Sequence, residues 1–184
     1  MNAIGLPTLT PPVNASDHVI GPPSAAATLV EYGDYECPYC GQAHPVVKEI
    51  VRQLGDELRF AFRHFPLTRV HPHAERAAEA AEAAGAQGKF WQMHDLLFDN
   101  QDALEDEHLL VYARAIDLDL RRFALELENG VYTAKVRADF LSGVRSGVNG
   151  TPTFFINGQR HEGGYGLESL LGAIVTAAAV ASRG

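Results

Sequence analysis

The two cysteines of this chain fall in one four-residue motif, Cys37-Pro38-Tyr39-Cys40, placed where a strand-like run gives way to a helix-like one. Upstream, Thr28-Leu29-Val30-Glu31-Tyr32 combines β-branched and aromatic residues and stops at Gly33. Downstream, Val46, Val47, Ile50, Val51 and Leu54 recur at helical spacing until Gly55, a suitable C-terminal residue. Residues 58–65 then read as a second core strand, closed by Pro66. This strand, helix, strand unit limits the fold to those that turn a strand directly into a helix carrying paired thiols. With no other cysteine there is no framework of structural disulfides, so the pair is there for chemistry.

Strand texture is lost from His71 to about Val148, where helical segments are expected at 74–84, 90–98, 105–116, 120–127 and 132–144. Asp119 is an expected N-cap, and Gly85 with Gly88 marks a helix break. Thr153-Phe154-Phe155-Ile156 restores a strand, Asn157-Gly158 supplies a hairpin turn, and 167–181 closes as a helix. The order βαβ, helical block, ββα predicts an α/β fold with a central mixed sheet assembled from two chain halves and an inserted all-helical subdomain. The expected organisation is an extended N-terminal arm over 1–16, a sheet domain over 17–66 and 149–184, and a helical insertion over 67–148. Residues 17–20 are a candidate edge strand.

Fifteen Lys and Arg against 23 Asp and Glu give a formal charge of −8, with no basic stripe to neutralise phosphates, so nucleic acid is not an expected partner. No run approaches the roughly 18 to 20 apolar residues of a spanning helix, and the chain is not expected to be membrane-embedded. Residues 1–15 lack Lys and Arg, which predicts a cytoplasmic protein, or a periplasmic one if a leader has been removed.

The thiolate is the reactive form of cysteine, and a helix N-terminus favours it through unsatisfied N–H groups and the helix dipole. Pro38 suits the first turn, and Cys40 lies one turn further in, within reach of Cys37 for a small disulfide ring. Cys37 is therefore expected to attack and Cys40 to resolve. Zinc sites use the same spacing, but no second CxxC accompanies this one, and nothing in the sequence places His71, His73 or His161 beside it. No metal and no cofactor beyond the Cys37–Cys40 pair are expected.

Val30-Glu31-Tyr32-Gly33-Asp34-Tyr35-Glu36-Cys37-Pro38-Tyr39-Cys40 resembles the active-site segment of DsbA-type thiol–disulfide oxidoreductases of the thioredoxin fold. Phe62-Arg63-His64-Phe65-Pro66 and Gly150-Thr151-Pro152-Thr153-Phe154-Phe155-Ile156-Asn157-Gly158 are similar to the family's following strand and cis-proline segment. The resemblance implies a thioredoxin-like fold, with Pro152 as the cis-proline, Thr151 before it, and Pro38 and Tyr39 beside them at a substrate groove. It also implies that Glu31 is a buried acid taking the Cys40 proton, and that Pro45 kinks the active-site helix. Tyr39 departs from the histidine of strong oxidants, and Asp34 and Glu36 add negative charge near Cys37. A reduction potential on the order of −150 to −250 mV follows.

The expected activity is disulfide exchange with protein substrates, recycled by thioredoxin reductase, glutathione or a membrane quinone-coupled oxidase; the cytoplasmic reading favours the reductant side. A monomer is expected. The alternatives are a glutathione-dependent small-molecule transferase or isomerase of the same superfamily, disfavoured by retention of both cysteines, and a non-catalytic zinc or chaperone-like module. His44 is expected at the surface, His71, His73, His94 and His161 at capping, core-edge or surface positions, and Phe90, Trp91, Phe98 and Tyr112 in the helical core.

Overall fold

The computed structural model describes residues 7–181. Among them lie five strands, β1 (His18–Ile20), β2 (Ala27–Gly33), β3 (Leu58–His64), β4 (Thr153–Ile156) and β5 (Gln159–Arg160). The seven helices are α1 (Pro38–Leu54), α2 (Ala74–Gly85), α3 (Phe90–Asp99), α4 (Asp106–Ala115), α5 (Leu120–Glu128), α6 (Thr133–Arg145) and α7 (Leu167–Ala181). The strands form one mixed sheet in the order β1-β3-β2-β4-β5, with β1 antiparallel to β3 and β4 antiparallel to both β2 and β5. β2 and β3 are almost wholly buried on both faces, as befits strands inside a sheet covered on both sides. The hairpin between β4 and β5 turns on Asn157 (φ +48°) and Gly158 (φ +82°), the two positive values that this Asn-Gly pair tolerates.

The described chain divides into two compact units. The first holds the described residues through Tyr32, Gln42–Arg63 and the described residues from Leu141 onward. Here the described part of the N-terminal arm is laid against β5: Leu9 N–H donates to Gly158 O (2.8 Å), and Arg160 N–H to Pro7 O (3.1 Å). The expected arm residues 1–6 and the last three residues of the chain, 182–184, lie outside the described residues.

Arg63 organises this unit from within. It is 1% exposed, although it stands on the face of β3 opposite Phe60 and Phe62, where a simple alternation would leave it to solvent. Its guanidinium donates to both Asp17 carboxylate oxygens (2.8 and 2.9 Å), to the carbonyls of Pro11 (2.9 Å) and Pro12 (3.1 Å), and to Tyr32 Oη (2.9 Å). Burial alone would lower its pKa, but hydrogen bonds to Asp17 and Tyr32 carry it above the ordinary arginine range. Tyr32 Oη continues the network to Ser142 Oγ at 2.7 Å. A fork of five donors thus ties the arm, β1's leading residue, β2 and β3 together.

The second unit comprises Gly33–Gly41 and His64–Phe140. Its centre is α2, whose alanines Ala74, Ala77, Ala78, Ala80, Ala81, Ala83 and Ala84 are all buried, small enough for α3, α4 and α5 to pack around it. The two buried acids of α2 are partnered: Glu82 Oε1 lies 2.8 Å from His64 Nε2, and Glu79 accepts from Thr133 Oγ1. Lys135 Nζ sits 2.7 Å from both Asp139 oxygens and 3.6 Å from Glu82, so the ammonium balances the buried acids. Asp119 caps α5 by accepting from Arg122 N–H (3.0 Å), as the sequence predicts, and Asp106 and Glu107 stand in the first turn of α4.

Two outcomes follow from these ion pairs. Arg63→Met leaves the Asp17 carboxylate buried and unbalanced, and should lower the unfolding free energy by about 3–5 kcal/mol, read from urea denaturation. Arg63→Met combined with Asp17→Leu should cost less than the sum of the two single changes. Arg76 hydrogen bonds, against a smaller opposing effect of burial, hold the Asp106 carboxyl below its ordinary pKa. Its folded value being the lower one, its contribution is complete above the unfolded value of about 3.9 and is lost as pH falls through the folded value. Asp106 is 61% exposed. Asp106→Asn should therefore cost at most about 1 kcal/mol at pH 7, vanishing in acid, as urea titrations at the two pH values would show.

Candidate active site

The chain leaves β2 at Gly33 and enters α1 at Pro38 through a turn closed by Cys37 N–H donating to Asp34 O (3.1 Å). Cys37 O accepts the first helical hydrogen bond, from Gly41 N–H (3.1 Å), so Cys37 stands at the N-cap position. From an N-cap a side-chain atom can reach the N–H groups one turn in; Ser or Asp usually occupies this position, and here the residue carries a thiol. Pro38 occupies the first helical position, where its missing N–H costs nothing. Cys37 is 4% and Cys40 0% exposed, whereas Tyr39 between them is 61% exposed. A thiol at the lip of the turn and a second sealed behind it suit sequential attack and resolution.

The turn itself is held by side chains of the second unit. Asp34, 2% exposed, accepts from Glu36 N–H through Oδ1 (2.8 Å) and from Leu67 N–H through Oδ2 (2.8 Å). His71 Nδ1 donates to the same Oδ2 at 2.8 Å. Glu36 accepts from His73 N–H (2.7 Å) and from His73 Nδ1 (3.0 Å). The two acids that the sequence places as bare negative charge near Cys37 are each matched by an imidazole. Tyr35, 1% exposed, packs its ring 4.8 Å from Phe98 and sets its hydroxyl 2.9 Å from His94 Nδ1. Gln101 Nε2 donates to the carbonyls of Tyr35 (2.8 Å) and Cys37 (2.9 Å).

Glu31, Thr151 and Pro152 belong to the first unit. Glu31 is 2% exposed on β2, in register with Phe154 of β4, so it is a buried acid rather than a solvated edge residue. The Thr151–Pro152 peptide is cis and leads directly into β4, whose Thr153 pairs with Tyr32. α1 runs unbroken past Pro45.

His44 departs from its expected surface position, and His94 lies deep in the core. His44 is 6% exposed and His94 3%, so neither is a surface residue: His44 lies on the inward stripe of α1, and His94 is enclosed by Tyr35, Phe90, Trp91 and Phe98. His71 and His73 lie at the start of α2, His73 as its N-cap residue, and serve Asp34 and Glu36. The spacing His71-Pro72-His73 against Asp34-Tyr35-Glu36 is the one sequence signal for this pairing, two acids and two imidazoles each set one residue apart. Gln101 carried no signal at all.

The sequence profile of the thioredoxin family matches residues 13–175. The chain is 50% identical over 174 residues to a Na(+)/H(+) antiporter, NhaA 1, of Salinispora arenicola, covering 94% of this chain and 26% of that protein. The chain thus spans about a quarter of the length of the curated relatives it matches. Among solved structures it is similar to a thioredoxin-like oxidoreductase from Silicibacter pomeroyi, with a TM-score of 0.79, 27% identity, and 93% and 95% of the two chains covered. It is also similar to oxidised BdbD from Bacillus subtilis, with a TM-score of 0.81, 20% identity, and 95% and 97% covered. The fold is thioredoxin-like, with the helical insertion inside it. No helix among the described residues is long and apolar enough to cross a membrane.

Replacing His71 with Leu strands the buried Asp34 carboxylate with only N–H donors. The expected loss is about 1–3 kcal/mol of stability in urea. Slower alkylation of Cys37 at pH 7 should accompany it, since the turn that sets Cys37 at the N-cap loses one of the hydrogen bonds that hold it.

Proposed function

We propose that this chain, which belongs to the thioredoxin family, is a thiol–disulfide oxidoreductase that exchanges disulfides with protein substrates through Cys37 and Cys40. One observation carries the reading: Cys37 stands at the N-cap of α1 with a trace of exposure, and Cys40 is fully buried one turn behind it. In the reducing direction the Cys37 thiolate attacks a substrate disulfide, whose S–S bond breaks as the mixed disulfide forms and one substrate sulfur leaves as thiolate. Cys40, deprotonated, then attacks Cys37, releasing the second substrate thiol and leaving the Cys37–Cys40 disulfide; the same steps reversed oxidise a dithiol. Glu31 as proton acceptor, and Pro38, Tyr39, Thr151 and Pro152 as residues that meet an extended peptide, belong to this proposal on the family resemblance. A thiol donor such as glutathione or a reductase, or a quinone-coupled oxidant, restores the starting state.

The antiporter relatives are far longer than this chain, and transport of Na(+) or protons does not come to it with their name. Cys40→Ser should accumulate a mixed disulfide between Cys37 and a protein substrate carrying scrambled disulfides, visible as a mass adduct removed by dithiothreitol. Cys37→Ser should form none and should lose catalysed reduction of insulin by dithiothreitol. Equal adduct formation at both variants, or stoichiometric zinc held by the cysteines of the reduced parent, would overturn the reading.

A further inference from the structure

Gln101 follows the last turn of α3, where Asn100 Nδ2 donates to Leu96 O (2.8 Å) and secures the chain to the helix end. Its amide nitrogen donates to Tyr35 O and Cys37 O, the carbonyls on either side of Glu36 (2.8 and 2.9 Å). Two acceptors on one nitrogen fix which way the amide faces. The amide oxygen is accordingly turned onto the backbone of α1: a Cβ at Gly41 would stand 2.0 Å from Gln101 Oε1. Glycine at 41 is disfavoured inside a helix by its backbone entropy, so its presence is accounted for by the space the glutamine takes. Cys37 O is the same atom that accepts the first helical hydrogen bond from Gly41 N–H. Gln101 therefore holds the carbonyl of the N-cap residue itself, and Gly41 makes room for it to do so.

We propose that Gln101 is a positioning residue for the attacking thiol, fixing the Cys37 peptide so that the sulfur stays over the first turn of α1 and its thiolate is favoured. The inference rests on the reading of Cys37 as the attacking thiol. It assigns Gln101 no contact with substrate. Tyr35 joins the two segments a second time, through Phe98 and His94 of α3, so removing the glutamine amide leaves the turn attached and only loosens its register.

The test follows the pH dependence of iodoacetamide alkylation of Cys37, in a Cys40→Ser background so that one thiol reacts. Gln101→Met keeps the volume and removes both donors. It should raise the alkylation midpoint by about half a pH unit, slowing alkylation about three-fold at pH values below that midpoint. Gly41→Ala should shift the midpoint the same way by displacing the amide. In a Gln101→Ala background, where the space is open, Gly41→Ala should produce no further shift, a non-additivity expected of residues in contact. A midpoint unmoved by Gln101→Met while the urea transition falls would make the glutamine merely structural and overturn the proposal. Additive shifts from Gly41→Ala and Gln101→Ala would overturn it too. Alkylation needs no protein substrate, so an intact Gln101 effect alongside absent mixed disulfides would count against the disulfide-exchange reading and not against the positioning role.

Discussion

The hydrogen bond from Cys37 N–H to Asp34 O closes the turn that lets a buried central strand become a helix without a loop between them. It puts Cys37 where the backbone still has unsatisfied N–H groups and where the aligned peptide dipoles favour negative charge, by typically 0.3–1 kcal/mol at an exposed terminus. The supporting contacts in the second unit all bear on this turn. Asp34 is held by His71 and two N–H groups, Tyr35 by Phe98 and His94, and Glu36 by His73. A turn with so many partners returns to one geometry after each reaction cycle, the condition for a thiolate pKa to be a property of the fold.

The acid and histidine pairs also change how the electrostatics of the turn are understood. From sequence, Asp34 and Glu36 read as a penalty on the thiolate. In the structure each carboxylate accepts a hydrogen bond from an imidazole and from backbone N–H groups instead of standing bare. The local field at Cys37 depends on the helix terminus, on Tyr39 in place of a histidine, and on two ion pairs that share the same turn. None of these acts alone.

Local patterns made most of the fold legible. Apolar periodicity placed all seven helices, Asn157-Gly158 placed its hairpin, and Asp119 its cap, because each depends on neighbours within a few residues. The motif Cys37-Pro38-Tyr39-Cys40 was legible for the same reason. What escaped was long-range and polar. Arg63 looks like an ordinary exposed member of an alternating strand until Asp17 and the carbonyls of Pro11 and Pro12 are brought to it. His44 and His94 are polar residues inside the protein, which composition cannot distinguish from surface ones. Gln101 acts on backbone atoms more than sixty positions away, and a carbonyl oxygen leaves no trace in a sequence.

The redox equilibrium of the cysteine pair tests the central claim most directly. Equilibrating the protein across glutathione buffers, quenching in acid and resolving the alkylated masses would give its reduction potential. A single two-electron transition between the dithiol and the Cys37–Cys40 disulfide, on the order of −150 to −250 mV, is the predicted result. Failure of Cys37 and Cys40 to form a mutual disulfide at any glutathione ratio would contradict it.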